Sequence, residues 1–251
     1  MWKSPWTRWG IVLGLALGGF FDGILLHQIL QWHHLLSLVP GLGDIRLQIL
    51  WDGYFHALMY VVAALGLWGL WRAHRSAGDA RGRGLAGALM VGFGAWHVAD
   101  GVLSHWVLGI HRVKLDSADP LLWDLAWFFG FGVVPLVAGW LLVRGGGTPM
   151  RRGSTAALLA LSTLTAGAGA WSLRPPPDQP FTAVVLRSGM DSEQVLALVA
   201  SVDARLVWTD PSMGVAVLDV APERRWSLYT RGALLVSGTA APAGCFNWSR
   251  G

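Results

Sequence analysis

Histidines and aspartates occur within and beside long apolar stretches of this sequence. An imidazole or carboxylate in hydrocarbon is costly unless it holds a metal ion, a proton path or a hydrogen-bond partner. Histidine and carboxylate side chains gathered from several membrane helices are what a buried transition-metal site requires. The sequence therefore predicts a metal site with these candidate ligands: His27, His33, His34, Asp52, His56, His97, Asp100, His105 and His111.

The candidate ligands also agree in depth. With a rise of about 1.5 Å per residue from the outer end of each segment, Asp52 and His105 lie roughly 5 Å deep and His56 and Asp100 roughly 10 Å deep. Asp22 lies nearest the midplane. Unrelated polar residues would have no reason to share one half of the bilayer, so we expect the site in the outer half of the bundle.

Two of the acids are also candidates for catalysis. Asp52 lies four residues before His56, so both side chains face one side of a helix and can ligate together, or one can orient the other. In a zinc hydrolase, Asp52 or Asp100 would be the base for a metal-bound water. Further polar groups are candidates to orient the ligands: Asp22, Gln28, Gln31, Ser104 and Asp124.

The number of polar groups bears on how many ions are bound. In a regular α-helix, His97, Asp100 and His111 fall on one stripe, whereas His105 is turned away by nearly a quarter of a circle. A single ion would not use so many groups. Two metals, or one metal with a histidine and carboxylate proton path, account for them better.

The composition is that of a polytopic membrane protein. Of 251 residues, 53% are hydrophobic and 14% charged, and 16 are tryptophan. About 20 apolar residues span the hydrocarbon. Five segments are predicted to cross, the last of them the shortest: Trp9 to Leu38, Ile49 to Trp71, Leu85 to Leu108, Leu121 to Val143 and Ala156 to Trp171.

Arginines cluster after the second and the fourth apolar segments, as at Arg72, Arg75 and Arg144. Because cytoplasmic loops carry an excess of basic residues, the N-terminus is predicted to be cytoplasmic and the C-terminal part extracytoplasmic. The formal charge of +4 is concentrated in these loops, and no basic stripe interleaved with aromatics supports nucleic-acid binding. The one cysteine, Cys245, excludes an internal disulfide and a cysteine-based metal cluster.

The chain is predicted to divide into a helix bundle (residues 1–172), a proline-rich linker (173–180) and an extracytoplasmic domain (181–251). The fold class is thus an all-α membrane bundle of about five transmembrane helices with a small C-terminal α/β domain. The pattern of that domain is strand, helix, strand, strand, helix, strand, which is typical of a ferredoxin-like fold. The predicted elements are Phe181 to Leu186, Ser192 to Ser201, Ala204 to Thr209, Val215 to Val220, Pro222 to Tyr229 and Ala233 to Ser237.

Several functions remain open at this point. Mixed imidazole and carboxylate ligands suit iron, copper(II) or zinc. Iron or copper would serve redox or dioxygen chemistry, and zinc a membrane hydrolase. A metal transporter or metal-delivery factor is a non-enzymatic alternative. A haem held by His27 and His97 is another, and it predicts a Soret band.

Three sequence blocks resemble a bacterial and archaeal family of four-helix membrane proteins catalogued as domain of unknown function 2243. The blocks are FDGILLHQILQWHH (Phe21 to His34), WDGYFHAL (Trp51 to Leu58) and ADGVLSHWVLGIHRV (Ala99 to Val113). The resemblance covers about Phe21 to Val143 and matches in order and spacing. It implies that these residues belong to a shared pattern: Asp22, His27, Gln28, His33, Asp52, His56, Asp100, His105 and His111.

Members of this family are often encoded near cytochrome oxidase components. The resemblance therefore implies a multi-pass protein of the bacterial cytoplasmic (inner) membrane. Besides the lipid bilayer, it implies a respiratory oxidase or its assembly factors as partners.

Overall fold

The computed structural model of the protein describes residues 4–76, 82–145, 154–172 and 181–239. Two long helices, α1 and α3, each pass into a π-helical segment, π1 and π2, and a third π-helical segment, π3, joins α4 to α5. The helical elements are α1 Pro5–Asp22, π1 Gly23–Ile29, α2 Ile45–Ser76, α3 Gly82–Asp100, π2 Gly101–Val107, α4 Pro120–Trp127, π3 Phe128–Val133, α5 Val134–Arg144 and α6 Ser154–Ser172.

Within the described residues, four helical runs are long and apolar enough to cross a membrane: Pro5–His27, Ile45–Ser76, Gly84–Val107 and Pro120–Arg144. This confirms the first four predicted segments as candidate spans. The predicted fifth forms α6, but its apolar part, Leu158–Gly167, is shorter than about 20 residues. A crossing by α6 stays a prediction.

Glycines bring α1 and α3 into close contact. A Cβ atom added at Gly14 would lie 2.1 Å from the carbonyl oxygen of Leu89, and one added at Gly92 would lie 2.0 Å from that of Ile11. Small residues allow membrane helices to approach in this way. The α1–α3 contact fixes the ends of these two helices beside each other, where α2 and α4 begin. We call this end of the bundle the site end.

The first helical run is shorter than its predicted extent. It ends at Ile29 instead of Leu38, because Gln31 adopts a left-handed backbone conformation with φ of 52°. Gly109 has φ of 61° at the corresponding point after π2. His33 and His34 therefore lie in the turn after the first helix, and the prediction that they are helical was wrong.

The C-terminal part forms a four-stranded antiparallel sheet in the order β2-β3-β1-β4. Its elements follow the predicted sequence of types, except that the second helix is a 3₁₀-helix. They are β1 Thr182–Leu186, α7 Ser192–Ser201, β2 Arg205–Thr209, β3 Val215–Asp219, the 3₁₀-helix Pro222–Arg231 and β4 Ala233–Val236. Asp191 and Gln194 form a reciprocal capping box at the start of α7.

The C-terminal sheet packs on the start of α2. Ile49 and Leu50 form an apolar cluster with Val185, Val215 and Leu235, and a guanidinium nitrogen of Arg46 donates to the carbonyl oxygen of Leu186 at 3.3 Å. The small domain therefore lies at the site end of the bundle.

Helix α6 packs on the opposite end of α2, where Nε1 of Trp71 donates to Ser162 at 3.3 Å. Helix α6 thus begins at the end of α2 that lies away from the small domain. The predicted linker 173–180 and Cys245 lie outside the described residues.

Candidate metal centre

Three predicted residues meet around the end of α1, and we call them the first group: Asp22, His27 and His33. Asp22 ends α1, His27 lies in π1, and His33 follows the left-handed turn. All three are buried, and each offers one ligand atom within 4.8 Å of the others. The Nε2 atoms of His27 and His33 are 3.1 Å apart.

Asp100, His105 and His111, the second group, meet in the same way at the end of α3, again within 4.8 Å of one another. Nε2 of His105 lies 3.0 Å from one oxygen of Asp100, and Nε2 of His111 lies 3.5 Å from the other. The geometry of these contacts leaves both Nε2 atoms without a hydrogen-bond partner within the described residues. Two ligands bound at about 2.1 Å to one tetrahedral or octahedral ion are themselves about 3.0–3.4 Å apart.

The prediction that His105 is turned away from Asp100 was wrong. It assumed a regular α-helix, whereas Asp100 is the last residue of α3 and His105 lies within π2. In a π-helix the hydrogen bonds run between residues five apart, so such residues lie above one another. His105 therefore belongs to the second group with Asp100.

The ring orientations leave lone pairs on buried nitrogen atoms. A carbonyl oxygen only accepts, so a ring Nδ1 that contacts one carries the proton, and the Nε2 of a neutral ring is then unprotonated. Four histidines share this arrangement. Their Nδ1 atoms donate to main-chain carbonyl oxygens as follows: His33 to Val113 at 2.9 Å, His56 to Asp52 at 2.8 Å, His97 to Phe93 at 2.9 Å and His111 to Leu35 at 2.9 Å.

The protonation state of His33 agrees with an unprotonated Nε2. Burial lowers the pKa of His33 well below its usual value, and the neighbouring imidazoles of His27 and His111 lower it further. His33 is therefore neutral at physiological pH. Its unprotonated Nε2 lies against Nε2 of His27 at 3.1 Å.

Asp52 holds the first group in place from α2. One of its oxygens accepts the backbone N–H of Leu35 at 2.8 Å and lies 3.2 Å from Nδ1 of His27. The other accepts from Nδ1 of His34 at 2.6 Å. His34, whose side chain is 23% exposed, thus binds Asp52 and is not a member of the first group.

Asp124 holds the second group from α4. One oxygen accepts the backbone N–H of Val113 at 3.0 Å and Nδ1 of His105 at 3.0 Å. The other accepts from Arg112 at 2.7 Å. Asp124 therefore contacts a candidate ligand, and its role as an orienting partner stays a prediction.

Two predicted ligands lie beside the groups and outside them. Nε2 of His56 has no hydrogen-bond partner within the described residues, and it would lie 2.5 Å from a Cβ atom added at Gly23. Nε2 of His97 also lacks a partner, and its ring packs among aromatic side chains that include Phe93 and Trp127.

Of the predicted orienting residues other than Asp124, Asp22 is a member of the first group. Gln31 and Ser104 are half-buried, and within the described residues neither side chain has a hydrogen bond to the two groups. The side chain of Gln28 lies outside what the structure describes.

Three groups that donate to Asp52 or Asp124 were not predicted. They are the backbone amides of Leu35 and Val113, and the guanidinium of Arg112. A signal for the whole arrangement is nevertheless present in the sequence. The pattern Asp-Gly, three residues, His, five residues, His occurs twice, beginning at Asp22 and at Asp100. Its two copies supply all six members of the two groups.

Comparison with known proteins gives one match. The model of a family described as "Predicted membrane protein (DUF2243)" matches residues 9–146, which include both groups and, apart from Pro5–Arg8, the four candidate spans. No curated protein and no solved structure matches the chain.

Replacement of Asp124 by Asn tests its holding role. The amide NH₂ would face either the Arg112 guanidinium or the donors on the other oxygen, so at least one buried donor loses its acceptor. We expect the free energy of unfolding in detergent to fall by about 1–3 kcal/mol. Thermal unfolding would measure this.

Asp116→Asn is the matched control, because the Asp116 side chain is 76% exposed and pairs with Lys114 at the surface. Exposed pairs contribute about 0–1 kcal/mol. Equal effects of the two substitutions would contradict the role given to Asp124.

Proposed function

The chain belongs to the DUF2243 family of predicted membrane proteins, and we propose that it is an integral membrane metalloprotein. Its metal centre is built from the first and second groups in the outer half of the bundle. The imidazole Nε2 atoms and the carboxylates of Asp22 and Asp100 are the ligands.

The observation that carries this proposal is the set of buried ring nitrogens without partners. Nε2 of His56, His97, His105 and His111 has no hydrogen-bond partner within the described residues. A buried polar atom left without a partner costs about 1–3 kcal/mol, so such atoms are rare and call for an explanation. A bound metal ion supplies the missing partner for Nε2 of His105 and His111 in the second group.

The ligand chemistry suits iron or copper, with zinc as the alternative. Neutral imidazole combined with carboxylate binds all three metals. Each Nδ1 of His33, His105 and His111 donates to a carbonyl or carboxylate oxygen. Such second-layer contacts fix the tautomer and strengthen the ligand.

Contacts of the acids favour redox chemistry over zinc hydrolysis. Both oxygens of Asp52 and both oxygens of Asp124 already accept hydrogen bonds. Asp100 lies between two ring nitrogens, as a ligand would. A hydrolase needs a free carboxylate as base for the metal-bound water, and none of these three is free. We therefore favour dioxygen chemistry or electron transfer at iron or copper.

For the membrane arrangement we propose a bacterial cytoplasmic membrane with the N-terminus inside and the site end outside. Helix α6 is then the fifth crossing, because it packs on α2 near Trp71 while the small domain packs near Arg46. The order β2-β3-β1-β4 supports a ferredoxin-like assignment for that domain. Association with a respiratory oxidase or its assembly factors stays a prediction from family resemblance.

Metal analysis of detergent-purified protein tests the proposed function. We expect iron or copper in the wild type, and a clear loss of metal in His33→Gln and in His105→Gln. A Soret band would favour haem, and zinc alone would favour the hydrolase.

His74→Gln is the matched control. His74 contacts Thr155 and lies 18 positions (74 − 56 = 18) beyond His56 on α2, about 27 Å away along the axis. Metal at the level of a blank in wild type, even after reconstitution with each ion, would overturn the proposal. So would equal metal content in the ligand variants and the control.

A phosphatase reporter that folds only outside the cytoplasm tests the topology. Fused at the C-terminus it should be active, and fused between α2 and α3 at residues 77–81 it should be inactive. Activity in the loop fusion together with inactivity at the C-terminus would reverse the orientation. Inactivity in both fusions would remove α6 as a crossing.

A further inference from the structure

The two groups are copies of one structural unit. The pattern that begins at Asp22 recurs at Asp100, a shift of 78 residues (100 − 22 = 78). In both copies the aspartate is the last residue of the α-helix and the following glycine begins the π-helical segment. The equivalent residues of the two copies therefore have the same local geometry.

The copies also end in the same way. After each π-helical segment, a backbone amide donates to the carbonyl oxygen five residues earlier. These contacts are Leu30 to Leu25 at 2.9 Å and Leu108 to Leu103 at 2.8 Å. The next residue in each copy, Gln31 or Gly109, has a positive φ of 52° or 61°.

Each copy is completed by an aspartate from the helix that follows it. Asp52 binds the backbone amide of Leu35, and Asp124 binds that of Val113, which is the residue 78 positions later (113 − 35 = 78). Each aspartate also contacts Nδ1 of the first histidine of its copy. The unit thus consists of two helices.

The two units exchange contacts reciprocally. His33 donates to the carbonyl oxygen of Val113 in the other copy, and His111 donates to that of Leu35. The rings of His33 and His111 stack at 4.6 Å with 5° between their planes. These paired contacts are those of an approximate twofold axis that passes between the stacked rings.

We infer that the metal centre is duplicated, with one ion in the first group and one in the second, and that the first group binds its ion more tightly. This inference rests on the proposed function. Two differences between the copies indicate that the first group has the higher affinity.

The first difference is an additional imidazole. Leu-Trp-Asp occurs at Asp52 and again at Asp124, and on this alignment His56 corresponds to Phe128 (124 − 52 = 128 − 56 = 72). Both rings cover the glycine that begins the π-helical segment, since added Cβ atoms would lie 2.5 Å from His56 Nε2 and 3.0 Å from a ring carbon of Phe128. At this position the copy that contains the first group has a buried nitrogen without a hydrogen-bond partner within the described residues, where the other copy has a carbon ring.

His56 lies next to the first group, with its ring edge-on to that of His27 at 6.4 Å between centroids. A small movement of either ring would let Nε2 act as a fourth protein ligand. The second group has only three, which leaves an open coordination position for water, dioxygen or a small anion.

The second difference is a fixed positive charge. The residue after the second histidine binds the supporting aspartate in both copies, as His34 on Asp52 and as Arg112 on Asp124. Arginine is always protonated. Its charge opposes cation binding in the second group, whereas the equivalent residue beside the first group is His34, which has no fixed charge. Both differences therefore favour the first group.

Titration of metal-stripped protein with Co²⁺, followed by its visible absorption, tests this inference. We expect two ions per chain in two steps that differ in affinity by about tenfold or more. His27→Gln should remove the tighter step and His105→Gln the weaker one. His74→Gln is again the control and should keep both steps.

Exchange of the rings at positions 56 and 128 tests why the two groups differ in affinity. It leaves the aspartate and two histidines of each group in place. His56→Phe, which gives the first copy the ring of the second, should weaken the tighter step about tenfold and leave the total at two ions. Phe128→His should strengthen the weaker step.

The outcomes separate the two proposals. A total of one ion per chain, two equal steps, or loss of the tighter step in His105→Gln would overturn the duplicated and unequal centre. So would an unchanged tighter step in a folded His56→Phe variant together with an unchanged weaker step in Phe128→His. Failure of wild type to bind Co²⁺, Fe²⁺, Cu²⁺ or Zn²⁺ would overturn the proposed function itself.

Discussion

Buried imidazoles need a partner at each ring nitrogen, and the structure around the candidate centre follows from that requirement. The Nδ1 atoms of His33 and His111 use main-chain carbonyl oxygens across the twofold axis, and Nδ1 of His105 uses Asp124. The Nε2 atoms of His105 and His111 face the carboxylate of Asp100 and have no hydrogen-bond partner within the described residues. The proposed ion is the partner that completes these rings.

This requirement explains irregular backbone that would otherwise destabilise the helices. A π-helical segment costs regular hydrogen bonding, and such segments occur frequently at functional sites. Here π1 and π2 place residues five apart, Asp22 with His27 and Asp100 with His105, on one side. The glycine after each aspartate leaves room for a ring from the following helix. Close packing of α1 on α3 through Gly14 and Gly92 then brings both units together.

The sequence predicted the first four helices, the C-terminal order of elements and the residue types at the candidate centre. It did not predict the grouping, because a regular helix turns His105 away from Asp100 and nothing in the apolar pattern marks the π-helical segments. The contacts of His34 and Arg112 with Asp52 and Asp124 depend on turns after the helices, whose path follows from positive φ at Gln31 and Gly109. The repeat of Asp-Gly-x₃-His-x₅-His was readable from the sequence and would have supplied the grouping.

The proposed metal centre depends on imidazole nitrogens that bind the ion. X-ray absorption at the edge of the metal that copurifies with the chain tests this most directly. The proposed centre predicts that nitrogen and oxygen ligands surround the metal at about 2.0–2.2 Å. Outer-shell scattering from two or more imidazoles per ion is expected as well. A shell that contains sulfur, or one of oxygen alone without imidazole scattering, would contradict it.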